Sequence, residues 1–559
     1  MTFSRPWHQS YAPGVAAEIE IEKVTMAESL AITARSYPDR LAIIYLGKKI
    51  TYRQLESMVN RFARALTDIG VGEEDNVAML LPNIPQVIIA DHAAYRVGAV
   101  TAMNNPLYTE RELTCQLNDS DATVLVTLDL LLPRVVKIMP ETKIRTIITC
   151  HINDFLPFPK KQLLPYVAKG MYRRVEPRPD VYEFMDLMEK YSNSPVENRA
   201  KWESAAALIY TGGTTGVSKG AVLTHTNISS VVQQFTAWFP DLKGQNQNIM
   251  GIYPIFHSAG YSVSQNLTIW NGWCVTLVPR PEPKIIVDLL KKYRPTFLPG
   301  VPTIYTALLG NKEFRTMNLS FIKGYFGGAA PLSEATLKEL KKIHGAIIYD
   351  VYGATENTAF ATATPWGGKV KTGTVGVPLP NTDVKIVDLG TGTRQMPAGE
   401  AGEICIKGPQ VMTGYYKKPE ETAHALKDGW FYSGDVGFLD EEGYLTISDR
   451  AKDVIVASGF NVYPQEVDGV LFEHPKILEA CCIGIPDDYR GETVKAFIVT
   501  QPGQSLSKQE IIQFCKEKLA AYKIPKQIEF IDELPKSAIG KIMRRKLRDL
   551  EQKKRQGSG

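Results

Sequence analysis

Between residues 52 and 69, apolar side chains fall at Leu55, Val59, Phe62, Ala63 and Leu66. That spacing predicts a helix with one buried face. Short apolar or β-branched runs at 77–81 and 123–127, each bounded by turn residues, read as buried strands. Alternation of this kind implies parallel sheets with helices on their faces. A further helical face appears at Ile228, Val231, Val232, Phe235 and Trp238, with Asn227 as its expected N-cap. Residues 431–447 look like hairpin material, with turns expected at Ser433-Gly434-Asp435 and at Glu442-Gly443. Beyond a boundary near 448–453, strands near 480–485 and 495–499 and a helical stretch over 508–519 suffice for a small α+β domain.

With 559 residues, the chain has room for three or four units of roughly 150 residues. It is 44% hydrophobic and 22% charged, which excludes a disordered, collagen-like or coiled-coil chain. A net charge of +4 argues against a general nucleic-acid binder, although residues 521–559 alone carry eleven Lys/Arg against five Asp/Glu. The seven cysteines lack ligand spacing and read as reduced thiols of a cytoplasmic protein. Residues 1–14 lack a signal-peptide layout, and no run of 18 apolar residues would span a membrane. Residues 154–175 differ in composition, with three prolines, four aromatics and five basic residues. Two readings fit them: an irregular insertion packed on the body, or a patch facing a membrane or partner. The prolines argue against one continuous helix there.

The most informative segment is Tyr210-Thr211-Gly212-Gly213-Thr214-Thr215-Gly216-Val217-Ser218-Lys219-Gly220. Its glycines let the backbone approach a ligand, its threonines offer hydroxyls to oxyanions, and Lys219 adds a compact charge. Together these suit a polyphosphate. No Gly-Lys-Ser/Thr ends the loop, and both flanks are strand-like, so it should join two strands rather than open a helix as a Walker loop does.

This string resembles the phosphate loop of the acyl-adenylate-forming superfamily. Further motifs follow in that family's order: Tyr253-Pro-Ile-Phe-His257, Gly327-Gly-Ala-Ala-Pro331, Tyr352-Gly-Ala-Thr-Glu356 and Tyr432-Ser-Gly-Asp435. Asp449-Arg-Ala-Lys-Asp453 and the run from Pro535 to Lys541 complete the series. Within the superfamily the stretches 429–435 and 458–464 look most like AMP-forming fatty acyl-CoA ligases. The resemblance implies an α/β fold: a large N-terminal domain, 1–448, of stacked, mostly parallel sheets plus a β-rich subdomain. A hinge at 449–453 and a small mobile α+β cap at 454–559 would follow. The implied reaction converts a carboxylic acid, ATP and coenzyme A, with Mg²⁺, into acyl-CoA, AMP and pyrophosphate through an acyl-adenylate.

The same resemblance implies roles for single residues. Lys541 would bridge the carboxylate and the α-phosphate during adenylation. Glu356 would hold Mg²⁺, and Thr355 would hydrogen-bond the α-phosphate. Thr211, Gly212, Gly213, Thr214, Thr215, Gly216 and Lys219 would cradle the phosphates. Gly328, Ala329, Asp350, Tyr352 and Gly353 would bind the nucleotide, with Asp350 at the adenine amino group and Tyr352 stacking on the adenine or else serving as a core tyrosine. Asp435 and Arg450 would meet the ribose, and Lys452 would be the hinge. Ser458, Gly459 and Phe460 would face coenzyme A. His257, at the acyl–CoA junction or else a core histidine, would line the acyl pocket with Val301, Gly327 and Gly328. A fatty acid is the expected substrate, with medium-chain, alicyclic and aromatic acids as alternatives. A peptide-synthetase-type activator places an aspartate near 256–257, where Phe256-His257 stands. A catalytically silent nucleotide- or lipid-binding relative would have lost Lys541, Glu356 or the loop. Monomer and homodimer fit the sequence equally.

Overall fold

The computed structural model describes residues 4–556 except 74, 212–217, 329–331, 333, 451–452, 458–459, 488–490, 520, 522 and 537–541. The stripe at 52–69 becomes the helix Tyr52–Asp68, started by a Thr51–Gln54 capping box, with Leu55, Val59, Phe62, Ala63 and Leu66 fully buried. Its neighbour Pro85–Arg96 is buried on every face. That is the signature of a helix packed between layers.

The layers are two large sheets. A nine-stranded sheet is parallel through its centre, including Asn248–Gly251, Phe297–Gly300, Gly324–Gly327 and Ile348–Tyr352. An eight-stranded sheet carries the parallel strands Asn76–Leu80, Val100–Met103, Val124–Leu128 and Thr146–Cys150, and ends in an antiparallel edge. One hydrophobic core joins residues of both sheets, such as Val77, Val126, Ile209, Ile249 and Phe297, with the helices between them. A smaller antiparallel sheet is built from Asp383–Val387, Gly402–Lys407 and Trp430–Leu439. The C-terminal strands, with Ile477–Asp487 paired to Gly491–Thr500, form a sheet with cores of their own. The chain is therefore α/β with a parallel-sheet body and a small β-rich C-terminal part.

Two local expectations need correction. The helix expected after an Asn227 N-cap begins three residues earlier, as His225–Trp238. Thr224 is its N-cap, and Asn227 is the third helical residue: its amide N–H donates to Thr224 Oγ1 while its side-chain oxygen accepts from the Thr224 N–H. Such reciprocity is a capping box, which the pattern of apolar residues alone does not reveal. Ser433-Gly434-Asp435 is not a turn but part of the strand Trp430–Leu439. Cys405 pairs with Tyr432 and Glu403 with Val436, so three residues stand opposite one. Gly434, at φ +70°, supplies the left-handed conformation that this bulge requires.

Residues 154–175 contain a short α-helix, Lys160–Val167, with Pro165 in its last turn, and a single 3-10 turn, Lys169–Met171. Phe155 and Leu156 anchor the segment in the core, whereas Phe158, Leu163, Tyr166, Val167 and Met171 are exposed. Among the described residues no helix is long and apolar enough to cross a membrane.

Candidate active site

The glycine-rich segment does join two strands. Ala205–Thr211 and Lys219–Thr224 pair antiparallel, with Thr211 opposite Lys219 at the mouth of the hairpin. Ser218 Oγ donates to the Thr211 carbonyl at 2.8 Å and closes that mouth. Beneath it, the Tyr210 ring lies so close to Gly220 that a Cβ there would sit 3.1 Å from the ring. Residues 212–216 of the expected cradle lie outside the described residues.

Across from the hairpin, the single turn Thr355–Asn357 places Glu356 at its centre. Glu356 is held twice by one segment: its carbonyl accepts from Met412 N–H at 2.7 Å, and its Oε1 accepts from Tyr415 Oη at 2.7 Å. The Tyr415 ring in turn lies 5.1 Å from the Lys219 ammonium. Thr355 is buried, and its Oγ1 is 3.4 Å from Ser258 Oγ. His257, half-buried, caps the following short helix by accepting the Ala259 N–H at Nδ1 (3.3 Å). Glu356 offers a metal one hard oxygen donor group, and no cluster of three ligating side chains occurs among the described residues. That donor set fits Mg²⁺, which commonly binds through one or two carboxylates plus substrate phosphates and water.

The residues expected at the nucleoside lie on strand termini. Asp350 pairs with Gly327 across the parallel strands Gly324–Gly327 and Ile348–Tyr352. A Cβ on Gly327 would lie 2.4 Å from Asp350 Oδ1, so only glycine lets that carboxylate rest there. Burial pushes the Asp350 carboxyl up to about 7. Tyr352 is buried, and its hydroxyl donates to Asp435 Oδ2 at 2.9 Å. Asp435 is aimed by the bulge: Ser433 Oγ donates to the Ile404 carbonyl and accepts the Asp435 N–H, while Gly434 N–H donates to Glu403 Oε1. Arg450 stands opposite Asp435 in the pairing of Trp430–Leu439 with Leu445–Arg450. Gly353 sits in a turn so tight that a Cβ would meet the Ala359 carbonyl at 2.2 Å.

Behind these strand ends lies a narrow apolar cavity. Its walls include Phe235, Ile249, Tyr253, Val263, Leu267 and Val351, and its aromatic end is formed by Phe239, Trp273, Phe297 and Phe326. Val263 and Leu267 come from the π-helical stretch Tyr261–Leu267, which continues from the helix at Ser258. Gln265 within that stretch donates to the buried Asp91, and Asp91 also accepts from Thr101 Oγ1 at 2.7 Å. The helical run thus reaches from the Thr355 contact to the cavity wall. His257, Val301, Gly327 and Gly328 are not in the cavity lining; Gly327 and Gly328 follow Phe326, which is.

Ala329, Lys452, Ser458, Gly459 and Lys541 lie outside the described residues. Phe460 begins the strand Phe460–Val462. Sequence reasoning missed Tyr415 and nearly all of the cavity lining. Tyr415 carries a faint signal, a Gly-Tyr pair after a buried Met412. The lining carries none, since its aromatics resemble any core residues.

The model of the AMP-binding enzyme family matches residues 30–416, and that of the AMP-binding enzyme C-terminal domain matches 466–541. The chain is 39% identical to a long-chain-fatty-acid–CoA ligase of Bacillus subtilis, covering 99% of both chains. It is 37% identical to the Yersinia pestis protein of that name, covering 98% of both. Among solved structures, it resembles ATP-bound MatB from Rhodopseudomonas palustris (29% identity, TM-score 0.83), covering 94% of this chain and 98% of that one. It also resembles the anthranilate CoA ligase AuaEII in complex with anthranoyl-AMP (25% identity, TM-score 0.85), covering 95% and 98%.

Proposed function

The chain belongs to the AMP-binding enzyme family, and we propose that within it the protein is an AMP-forming ligase that joins a long-chain fatty acid to coenzyme A. A carboxylate is a poor electrophile because a thiol attacking it would have to expel oxide. Transfer to the α-phosphate of ATP releases pyrophosphate and turns that oxygen into part of a phosphoester leaving group. The coenzyme A thiol then attacks the acyl carbon, and AMP departs with the bonding electron pair. The chemical difficulty lies in the first step, where an anion approaches a polyanion. Lys219 and the phosphate hairpin answer it from one side, and Thr355 from the other. Mg²⁺ held at Glu356 would supply further neutralising charge to the phosphates. Asp435, set by its bulge, accepts from the ribose hydroxyls, and Asp350 accepts from the adenine amino group.

Lys541 is the cation delivered to the α-phosphate by the C-terminal part, residues 454–559. Rotation about Lys452, in the hinge 449–453, then withdraws it and brings Ser458, Gly459 and Phe460 toward the coenzyme A path.

The observation that carries the choice of acid is the cavity, whose lining exposes no polar group. A second carboxylate or an amine would be buried there without a partner. The test is a panel of linear acids from C2 to C18, with dicarboxylic and aromatic acids, assayed for CoA-dependent AMP formation. Long linear acids should dominate; a preference for benzoate-like or dicarboxylic acids would overturn the assignment.

The exposed face at 158–171 supports a second element, peripheral contact with a membrane where such acids partition. Phe158, Tyr166 and Val167 are 82%, 77% and 77% exposed, beside Lys160, Lys161, Arg173 and Arg174. Apolar side chains flanked by cations suit an anionic lipid surface. Seven free thiols fit residence in the reducing cytoplasm. Co-sedimentation with anionic vesicles should fall in Tyr166→Ser/Val167→Ser and stay unchanged if the segment is only a packed insertion.

A further inference from the structure

Tyr415 sits where the phosphate hairpin and the Glu356 turn meet, and it touches the charged side chain of each. The two-residue strand Gly414–Tyr415 pairs antiparallel with the hairpin, Gly414 opposite Val222 and Tyr415 opposite Ala221. Its flanks are pinned as well. Thr413 N–H donates to the Val222 carbonyl, and Tyr416 N–H donates to the Gly220 carbonyl at 2.8 Å. Tyr415 N–H donates to Thr422 Oγ1 at 2.9 Å, and upstream the Asn227 amide donates to the Pro409 and Val411 carbonyls. The backbone that carries this side chain is thus fixed at several points.

From that position the ring lies under the Lys219 ammonium, 5.1 Å from its centroid, while the hydroxyl donates to Glu356 Oε1 at 2.7 Å. The two partners carry opposite charges, and both are meant for the same ligand, a metal-bound polyphosphate. Without something held between them, an ammonium and a carboxylate would tend to pair. Each would then have to be freed before ATP could bind. A neutral aromatic side chain serves both at once. Its face attracts the cation without neutralising it, and its hydroxyl fixes the anion without supplying a charge.

We propose that Tyr415 is a positioning residue that holds Lys219 for the phosphates and Glu356 for the divalent cation, and keeps the two from neutralising one another. The inference rests on the ATP-dependent reading above. Its two contacts separate by substitution, because Tyr415→Phe removes the hydroxyl and keeps the ring, while Tyr415→Leu removes both.

The experiment is calorimetric titration of the full chain with ATP, once with Mg²⁺ and once with EDTA, alongside the Mg²⁺ activation constant for carboxylate-dependent pyrophosphate release. In Tyr415→Phe, the Kd for Mg·ATP and the Mg²⁺ activation constant should rise about tenfold, the usual effect of losing a hydrogen bond to a metal ligand. Its Kd for metal-free ATP should stay at the wild-type value. In Tyr415→Leu, metal-free ATP should weaken as well, by about threefold, through the lost contact with Lys219. A Tyr415→Phe protein with wild-type Mg²⁺ dependence overturns the proposal. So does one that weakens ATP equally with and without metal, which would mark a merely structural tyrosine. The Phe variant is nearly isosteric and decides the matter even if the Leu variant misfolds. Wild-type protein that binds no ATP would instead sink the reading of function.

Discussion

On the strands Gly324–Gly327 and Ile348–Tyr352, adjacent residues serve opposite purposes. Phe326 and Val351 face the apolar cavity, whereas Gly327, Asp350 and Tyr352 belong to the polar end of the site. The alternation of a β-strand thus lets one sheet edge wall the apolar cavity and carry the polar groups of the proposed nucleotide site. The two halves are built differently, however. The cavity is an average over many apolar side chains, each contributing surface. The polar half depends on specific hydrogen bonds, such as those of Tyr352 to Asp435 and Tyr415 to Glu356. Substitutions should therefore act in steps in the polar half and by degrees in the cavity.

The largest step is expected at Lys541. Lys541→Ala should lower acyl-AMP formation by roughly a thousandfold, as loss of a group stabilising transition-state charge does. Thioester formation from supplied acyl-AMP should survive, because that half-reaction no longer needs a cation on the α-phosphate. Equal loss of both half-reactions would refute the division of labour. Asp435 comes next. Asp435→Ala removes the side chain that accepts from the buried Tyr352 hydroxyl. A rise of about a hundredfold in the KM for ATP is expected, with little change in the KM for the acid. A parallel rise for the acid would show that the two halves are not separable.

The contrast also explains what could be read in the sequence. The polar half was legible because its chemistry is local. A Gly/Thr-rich string with a lysine suits a polyphosphate, and the strand character of its flanks is enough to exclude a helix-opening loop. The stripe at Leu55, Val59, Phe62, Ala63 and Leu66 was legible for the same reason, since its period lies within one element. The cavity was not, because Phe235, Phe297, Phe326, Val351 and Phe360 converge from five segments. Phe235 was visible only as one residue of an apolar helix face. The bulge at Gly434 reads as a turn in the sequence because both need glycine at positive φ; only the partner strand tells them apart. Tyr415 was missed because its meaning lies in two neighbours about 60 and 200 residues upstream, a relation no spacing rule expresses.

In the cavity half, a graded effect should follow from filling space. Val351→Phe adds volume to a wall where Val351 already lies among Phe326, Tyr253 and Phe360. If it displaces one or two methylenes of the longest acids, kcat/KM for those acids should fall about tenfold, at roughly 0.8 kcal/mol per buried methylene. Acids of eight carbons or fewer should be unaffected, and the KM for ATP should not move. A uniform loss across chain lengths would place the acyl chain elsewhere.

The smallest effect, and the most sensitive probe of the boundary between the halves, is the titration of Asp350. Burial raises this carboxyl to about 7, so near neutral pH it is divided between its two forms. The carboxylate accepts a hydrogen bond from an adenine amino group more strongly than the neutral acid does. ATP affinity should therefore rise with pH through about 7 and level off above it, a change of a few-fold between pH 6 and 8. The sign is opposite to that of folding. A raised carboxyl pKa means that the folded chain binds the proton more tightly, so this group favours the fold at low pH and loses that contribution as pH passes 7. Binding and stability should thus diverge across the same interval, with ATP gripped better where the empty protein melts slightly lower. Asp350→Asn separates this from titration of the phosphates, which are common to both proteins. The variant should lose the protein's part of the pH dependence, and its melting temperature should no longer fall through that window. If the wild type and Asp350→Asn share one pH profile, the adenine contact at Asp350 is wrong, and the strand edge is polar there only to turn Gly327 away from the cavity.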